Sequence, residues 1–270
     1  MAKTIMNKRI GFTLVELLVV ISIIAILLAI LIPTLQKAQE QAKNVVCRAN
    51  VKQWAVMLTM YVNVNNGHFF PGFSEPNGLW MMRLRPYYSN VDKIRLCPKA
   101  TKFLSTVGGP DPVYCTPFTA WGIYGDKNYG VPYFGEKGQY GSYGTNEWIC
   151  DPPAVGTYFT IEKPTYYWRT ITGVKNPRTI PAFGDSVWEG TDPEDTDLPP
   201  NVPARPPDQG ILGGMWNYCI PRHQMAVNFA FLDCSARKIP LKELWQQKWS
   251  QQFNTRKRVT SWPTWMDERW

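Results

Sequence analysis

An apolar stretch near the N-terminus constrains the fold of this 270-residue chain more than any other feature. From Leu17 to Ile32 every residue except Ser22 is apolar, and the only charge between Phe12 and Pro33 is that of Glu16. At a rise of about 1.5 Å per residue, a helix over residues 12–32 is about 31 Å long, which matches the hydrocarbon core of a bilayer. The sequence therefore predicts a membrane-spanning helix over residues 12–32.

The residues before this stretch indicate its orientation. Lys3, Lys8 and Arg9 precede it and no acidic residue does, a bias that keeps the N-terminus in the cytoplasm and places the chain after Pro33 across the membrane. A secretory signal is disfavoured, because the apolar run is long and no small-residue cleavage site follows it. A plain anchor leaves Glu16 unexplained, since a charge within the bilayer costs about 3 kcal/mol or more unless it is paired.

The residues around Glu16 carry a resemblance to a known family. A short basic leader ends at Gly11, Phe12, Thr13 and Leu14 follow, and Glu16 is the fifth residue after Gly11. This pattern resembles the N-terminus of type IV pilins and of type II secretion pseudopilins, over about the first quarter of the chain. The resemblance implies that prepilin peptidase cuts between Gly11 and Phe12 and methylates the new amino group of Phe12. It also implies that Glu16 pairs with the Phe12 ammonium of a neighbouring subunit during assembly.

Three segments are expected: a cleaved leader (1–11), a long N-terminal helix (12–66) and a globular domain (67–270). Pro33 removes one backbone donor and should bend or loosen the helix, and Asn65-Asn66-Gly67 should end it. After Thr34 the helix is amphipathic, with a predicted apolar face of Leu35, Ala38, Ala42, Val45, Val46, Ala49, Leu58, Tyr61 and Val62.

The globular domain is predicted to be rich in turns, since the chain contains 23 prolines and 20 glycines. A short helix is expected within Leu79–Tyr88 and a terminal helix over Leu241–Phe253. Strands are expected over Tyr166–Val174, Thr179–Ser186, Val227–Asp233 and Ala236–Leu241, the last two paired across a turn. The fold class that follows is α+β and pilin-like: one long N-terminal helix packed on an antiparallel sheet with long loops.

A second resemblance extends into this domain. Segments at Cys47–Gln53, Leu96–Pro98, Ser142–Asn146 and Arg222–Asp233 resemble a large group of pilin-like proteins that share a His, nine residues and then Asp-Gly. His223 and Asp233 have this spacing, but Cys234 stands in place of the glycine. A glycine would permit a positive-φ turn there, so the turn geometry is an open point. The match informs the fold more than the function.

Candidate chemical sites are few. His223 and Asp233 could form a catalytic or metal pair, but no third ligand or nucleophile stands at a supporting spacing, so a histidine that caps a loop is favoured. We therefore expect no enzymatic activity, no metal and no cofactor. The acidic stretch 185–197 leaves calcium as a minor alternative to a solvated loop, because its spacing is irregular; its acids are Asp185, Glu189, Asp192, Glu194, Asp195 and Asp197.

All six cysteines follow the predicted membrane span, in an oxidising compartment. An even number there favours at least two disulfides, with unpaired core cysteines as the alternative. Zinc is not expected, since no Cys-x-x-Cys pair exists. The candidates for disulfides are Cys47, Cys97, Cys115, Cys150, Cys219 and Cys234.

These observations predict a structural subunit of a type II secretion pseudopilus or a type IV pilus-like filament. The expected partners are prepilin peptidase, other pilin or pseudopilin subunits and the inner-membrane assembly platform. The net charge of +8 is spread along the chain, so nucleic acid is not an expected partner. The expected location is the inner membrane with a periplasmic domain, or a periplasmic or cell-surface filament after assembly.

Two rival functions belong to other classes. The first is a membrane-anchored exported module that binds carbohydrate or another ligand through its tryptophan-rich domain and does not polymerise. The second is an exported hydrolase that uses His223 and Asp233. Glu16 favours the filament over the binding module, because an anchor that does not polymerise has no use for a carboxylate in its apolar segment.

Overall fold

A computed structural model describes residues 13–72, 80–89, 91–103, 116–124, 127–129, 139–153, 163–203 and 214–267. The chain divides into two compact units, Met1–Ala42 and Lys43–Trp270. Helix α1, Leu14–Val64, supplies residues to both. Short helices α2 (Trp80–Arg83) and α3 (Val91–Arg95) and two sheets belong to the second unit. The architecture is α+β, as predicted.

The described part of the first unit consists of Thr13 and of the helix α1 that follows it. The helix continues through Pro33 without interruption. The polar side chains within it bind the helix backbone: the Ser22 hydroxyl donates to the Leu18 carbonyl (2.7 Å) and the Thr34 hydroxyl to the Leu31 carbonyl (2.8 Å). Such local bonds satisfy hydroxyl groups where no water is present, so these residues are compatible with a helix in lipid.

In the second unit, one face of α1 enters the core. Its buried apolar residues recur at three- and four-residue spacing, as in an amphipathic helix; they are Cys47, Val51, Trp54, Ala55, Met57, Leu58 and Val62. The predicted face was therefore right at Leu58 and Val62 and wrong at Val45, Val46 and Ala49, which are exposed. The buried face includes the polar Asn50, whose amide donates to the Lys93 carbonyl (2.9 Å), and apolar periodicity does not detect such an anchor.

The larger sheet has five strands in the order β7-β5-β6-β8-β9. All its pairs are antiparallel except β5 with β7. The smaller sheet has the order β1-β2-β3, with β4 also paired to β2. The strands are β1 Lys102–Phe103, β2 Thr119–Tyr124, β3 Lys127–Tyr129, β4 Tyr140–Gly141, β5 Tyr143–Asn146, β6 Pro181–Asp185, β7 Gly190–Thr191, β8 Ala226–Phe231 and β9 Ala236–Pro240.

Several predicted elements are confirmed. Strands β6 and β9 lie within the stretches predicted for them, and β8 begins one residue before its predicted start, at Ala226. Strand β8 pairs with β9 from Ala226–Pro240 to Ala230–Ala236. The short helix expected within Leu79–Tyr88 corresponds to α2 and a 3-10 turn at Arg85–Tyr87. Helix α1 ends at Val64, directly before Asn65.

Two predicted elements were wrong. Tyr166–Val174 is not a strand, because Arg169 has a φ of 61° and the segment makes only an isolated bridge between Thr170 and His68 before a 3-10 turn. The terminal helix is a 3-10 segment, Leu241–Gln246. It stops there because the Lys248 amide bonds to the Thr179 carbonyl (3.2 Å) instead of continuing a helical ladder.

Aromatic side chains fill the core between α1 and the larger sheet. The Trp54 ring of α1 lies 4.7 Å from the Trp80 ring and 6.4 Å from the Phe183 ring of β6, centroid to centroid. In β8, the centroid of the Phe229 ring lies 5.0 Å from that of Tyr218 and 5.3 Å from that of Trp249. The long helix thus packs on a mainly antiparallel sheet, as predicted.

Candidate functional site

The start of α1 carries a reciprocal cap between Thr13 and Glu16. The Glu16 Oε2 atom accepts hydrogen bonds from the Thr13 amide (2.8 Å) and the Thr13 hydroxyl (2.7 Å), and the Thr13 Oγ1 atom accepts one from the Glu16 amide (3.2 Å). Two residues three positions apart that bond in both directions form a capping box. No described residue donates to Oε1, so one oxygen of this carboxylate remains available to a donor from another chain.

The helix that follows Glu16 exposes an apolar surface. Leu18 is 61% exposed and Ile30 is 65% exposed, and no residue of the most apolar window is buried. By length and composition α1 qualifies to cross a membrane, and it is the one described helix that does so. A continuous exposed apolar surface along a whole helix is normally covered by lipid or by other protein. Gly11 and Phe12 lie outside the described residues, so cleavage and methylation there stay predictions from sequence.

A buried polar cluster lies in the second unit, where α1 meets the larger sheet. It consists of Cys47 in α1, Cys97 after α3, Asp185 at the end of β6 and His223 before β8. One ligand-type atom from each residue lies within 4.8 Å of the others, and all four residues are buried. The Cys47 sulfur is 3.3 Å from Asp185 Oδ1, the Cys97 sulfur is 3.4 Å from His223 Nε2, and His223 Nε2 is 3.3 Å from Asp185 Oδ2. We call these four residues the Cys2HisAsp cluster.

Arg222 lies against the cluster and is fully buried. Its guanidinium Nη1 is 3.2 Å from Asp185 Oδ1, and the same side chain donates to the carbonyls of Pro117 (2.6 Å) and Ser186 (3.1 Å) and to that of Ser142. The Asn228 amide donates to Asp185 Oδ2 (2.8 Å). The buried carboxylate is therefore ionised and held in one orientation by an arginine and a backbone amide.

Charges and burial shift the pKa values of the cluster. Burial opposes ionisation of Asp185, but His223 and Arg222 outweigh it and hold the pKa of this carboxyl well below its usual range. Burial also opposes protonation of His223, yet the Asp185 carboxylate raises its pKa to about 9. The pKa of Cys97 falls to about 7, because bonds from Cys47 and His223 outweigh the effect of burial, whereas burial raises that of Cys47.

The structure does not bring His223 and Asp233 together. His223 faces Asp185, whereas Asp233 is exposed and accepts hydrogen bonds from the Ser235 amide (2.9 Å) and hydroxyl (2.6 Å) in the β8–β9 turn. Cys234 has a φ of 61°, so the turn has the positive φ expected of a glycine although a cysteine occupies it. Asp233 thus shapes the turn, and the acid near His223 is one that the motif spacing does not indicate.

The predicted disulfides are not confirmed. Cys115 lies outside the described residues. The described cysteines carry free thiols; they are Cys47, Cys97, Cys150, Cys219 and Cys234. Two of these thiols face oxygen atoms of other residues: the Cys150 sulfur is 3.4 Å from Glu147 Oε2 and the Cys234 sulfur is 3.2 Å from the Thr59 hydroxyl. Cys47 and Cys97 belong to the Cys2HisAsp cluster.

The acidic stretch 185–197 does not act as one group. Asp185 belongs to the buried cluster, Glu194 pairs with Lys163, and Asp195 binds the Asn254 amide (2.9 Å) and Lys257 (3.3 Å). Asp197 accepts from the amides of Glu194 (2.9 Å) and Met215 (2.8 Å). Calcium binding there is left as an untested alternative.

Sequence reasoning named all four members of the cluster but did not join them. Cys47, Cys97 and His223 lie in the segments that carried the second resemblance, and Asp185 is the second-last residue of the predicted strand Thr179–Ser186. They are far apart in the chain: Cys47 and Asp185 are 138 residues apart, and Cys97 and His223 are 126 apart. The four residues have one sequence feature in common: each is a polar or sulfur-bearing residue next to an apolar segment of the core.

Comparisons with known proteins identify the N-terminal segment. Residues 6–32 match the prokaryotic N-terminal methylation motif. The chain is 44% identical over 63 residues to the type IV wide pilus major component PilA4 of Thermus thermophilus, covering 23% of this chain and 48% of that protein. It is 41% identical over 55 residues to the type II secretion system core protein G of Pseudomonas aeruginosa, covering 20% and 39%. The chain thus spans less than half the length of each of these relatives, and no solved structure matches it.

Proposed function

We propose that this chain is a structural subunit of a type IV pilus-like filament or of a type II secretion pseudopilus, with no catalysis of its own. Prepilin peptidase cleaves it after Gly11 and methylates Phe12, and α1 anchors the precursor in the inner membrane with the second unit in the periplasm. The inner-membrane assembly platform then transfers the subunit from lipid into a filament of like subunits. The methylation motif at residues 6–32 and the two relatives support this proposal.

One observation carries the proposal: a carboxylate at the start of an exposed apolar helix. Glu16 uses Oε2 for its bonds with Thr13. Its Oε1 atom can therefore accept the Phe12 ammonium of a neighbouring subunit without breaking the cap. In lipid an unpaired carboxylate is costly, and a partner of opposite charge offsets part of that cost. A subunit docked out of step leaves both charges unpaired, so the pair sets the axial register.

The exposed apolar residues of α1 support the same function. They are compatible with lipid before assembly and with neighbouring α1 helices after it, since both surroundings are apolar. Helix association in an apolar medium gains little from the hydrophobic effect and depends on packing and on polar pairs. The Glu16 pair supplies such a polar interaction.

The test is filament formation by a Glu16→Leu variant, with Ser22→Leu as a matched control in the same helix. Sheared surface and periplasmic fractions are examined by electron microscopy with an antibody to the second unit. We expect filaments from the wild type and from Ser22→Leu, and at least a tenfold loss of polymer from Glu16→Leu. Membrane insertion and the fold of the second unit should be unchanged in all three.

Two results would overturn the proposal. One is normal assembly of Glu16→Leu. The other is a wild-type protein that stays in the membrane as a monomer, which would favour an anchored binding module.

A further inference from the structure

We propose that Cys47, Cys97, Asp185 and His223 bind a structural zinc ion inside the second unit. The proposal concerns the stability of this unit and does not depend on whether the chain polymerises. It revises the expectation from sequence that the chain binds no metal.

Three distances in the Cys2HisAsp cluster match edges of a zinc coordination tetrahedron. With zinc–sulfur bonds of about 2.3 Å and zinc–nitrogen or zinc–oxygen bonds of about 2.0–2.2 Å, those edges are roughly 3.3–3.8 Å long. With Asp185 Oδ2 as the oxygen ligand, that oxygen lies 3.5 Å from the Cys47 sulfur and 3.3 Å from His223 Nε2, and the Cys97 sulfur lies 3.4 Å from the same nitrogen. A direct hydrogen bond between a charged imidazole and a carboxylate is shorter, at about 2.7–2.9 Å.

The arrangement around His223 argues against a catalytic triad. In a triad, one imidazole nitrogen faces the nucleophile and the other faces the carboxylate. Here Cys97 and Asp185 both face Nε2 of His223. One nitrogen carries at most one proton and cannot donate well to both neighbours. A metal ion beside Nε2 can bind all three atoms. The burial of all four residues also leaves a substrate no access.

Electrostatic balance favours a divalent cation. Zinc binds cysteine as thiolate, histidine in its neutral form and aspartate as carboxylate. Two thiolates and one carboxylate exceed the charge of Zn²⁺ by one negative charge, and the buried guanidinium of Arg222, 3.2 Å from Asp185, cancels it. The site as a whole is then neutral, which satisfies the requirement that buried charges be compensated.

Surrounding groups orient the ligands as they do in known metal sites. Arg222 and the Asn228 amide hold the Asp185 carboxylate. The Ser142 hydroxyl accepts a hydrogen bond of 2.5 Å from the Cys97 amide, which fixes the backbone at that ligand. Such outer contacts fix ligand geometry and raise metal affinity.

A closed set of four protein ligands indicates a structural role. Catalytic zinc sites keep one position for water or substrate, whereas structural sites fill all four with side chains. The ion would tie α1 to the segment after α3, to the end of β6 and to the segment before β8. It would thus provide the cross-links that the predicted disulfides were expected to provide.

A disulfide between Cys47 and Cys97 is the competing fate of these thiols in an oxidising compartment. It would consume both sulfur ligands and leave Asp185 and His223 as an ordinary ion pair. Zinc and the disulfide are mutually exclusive, so one sample distinguishes them.

The first measurement uses the wild-type full-length protein, purified in detergent without added metal or chelator. Mass spectrometry of its metal content should find about one zinc ion per chain. X-ray absorption at the zinc edge should show both sulfur and lighter nitrogen or oxygen neighbours. After exchange with CoCl2, an absorption band from thiolate-to-cobalt charge transfer should appear.

The second measurement compares Cys97→Ser with Cys219→Ser, which replaces a buried cysteine outside the cluster. We expect Cys97→Ser to lose at least tenfold in zinc content and to lose the cobalt band. Cys219→Ser should retain both. The wild-type absorption data decide the matter if Cys97→Ser fails to fold.

Three results would overturn the proposal. The first is a wild-type protein that binds no metal and shows a Cys47–Cys97 disulfide in a non-reducing peptide map. The second is an X-ray absorption spectrum in which zinc has only nitrogen and oxygen neighbours. The third is a loss of metal from the Cys219→Ser control equal to that from Cys97→Ser.

Discussion

Thr13 and Glu16 bond to each other in both directions at the first turn of α1, through Glu16 Oε2 and Thr13 Oγ1. The cap satisfies backbone donors that would otherwise face lipid. It also holds the carboxylate at the start of the helix, where an approaching ammonium group would meet it. Capping by Glu16 is thus separable from the pairing with a neighbouring subunit that we propose for it.

A Thr13→Val variant separates these roles. It removes the capping hydroxyl and leaves the Glu16 carboxylate and its bond from the Thr13 amide. We expect filaments to form, at a yield reduced no more than a few-fold, because a lost cap costs about 1 kcal/mol. The measurement is the amount of sheared polymer relative to Glu16→Leu. Equal loss in the two variants would show that the cap, and not the pair, is what assembly requires.

Processing at Gly11 is tested by Gly11→Val. A branched side chain beside the scissile bond should obstruct cleavage, so the variant should accumulate as a full-length precursor that begins at Met1 or Ala2. Mass spectrometry of the N-terminal peptide from the wild type should find methylated Phe12. An intact leader in assembled wild-type protein would contradict the prediction. An Ala2→Val change, far from the bond, is the control.

The buried Glu189 should make stability depend on pH. Burial raises the pKa of this carboxyl from 4.5 to about 8. The folded state therefore holds a proton that the unfolded state releases, and stability falls as the pH rises from about 4.5 through 8. Glu189→Gln should remove this loss, worth up to roughly 5 kcal/mol at pH 9.

The measurement is the free energy of unfolding of wild type and variant at pH 5, 7 and 9. The difference between them should grow with pH. The exposed Glu243→Gln serves as the control and should show no such trend. A constant difference for Glu189→Gln would rule out a protonated Glu189 in the folded state.

Cys234 occupies a backbone conformation that suits glycine. Its φ of 61° costs a residue with a Cβ about 1 kcal/mol relative to glycine. Cys234→Gly should therefore raise the free energy of unfolding by about 0.5–1 kcal/mol, less the weak contact with the Thr59 hydroxyl. Cys234→Ala removes the same thiol but retains the Cβ, so it should give no gain. Chemical denaturation of all three proteins measures this, and equal stability of the two variants would refute the argument.

Gly184 in β6 permits close packing of Phe229 from β8. A Cβ added at Gly184 would lie 2.3 Å from the Phe229 ring, and both residues are in the core. Gly184→Ala should destabilise the second unit by about 1–3 kcal/mol, as overpacking does. At Gly173 the nearest atoms would be 3.6 Å away, so Gly173→Ala is the control and should change stability by less than about 1 kcal/mol. Thermal unfolding of both variants is the measurement. A loss of stability in Gly184→Ala alone supports the packing argument, whereas equal losses in both variants would contradict it.

The sequence by itself determined the features that depend on neighbouring residues. The apolar run after Glu16 predicts a helix of membrane length, Asn65-Asn66-Gly67 predicts where α1 ends, and the β8–β9 hairpin follows from alternation around a short turn. Each of these signals is contained in a window of about twenty residues or fewer, where periodicity and turn chemistry act directly. The buried face of α1 after Thr34 was predicted only in part, because Asn50 enters the core through hydrogen bonds to Lys93 and Leu96, 43 and 46 positions away.

Only the tertiary structure decided what His223 contacts. The spacing of the motif pointed to Asp233, ten positions along the chain, but β8 lies between the two residues and carries Asp233 into the hairpin turn. Strand β6 pairs with β8 and brings Asp185 beside His223, while α1 and the segment after α3 add the two cysteines. Such a cluster depends on strand order and helix docking, and these are set by the burial of apolar surface over the whole unit and not by local spacing.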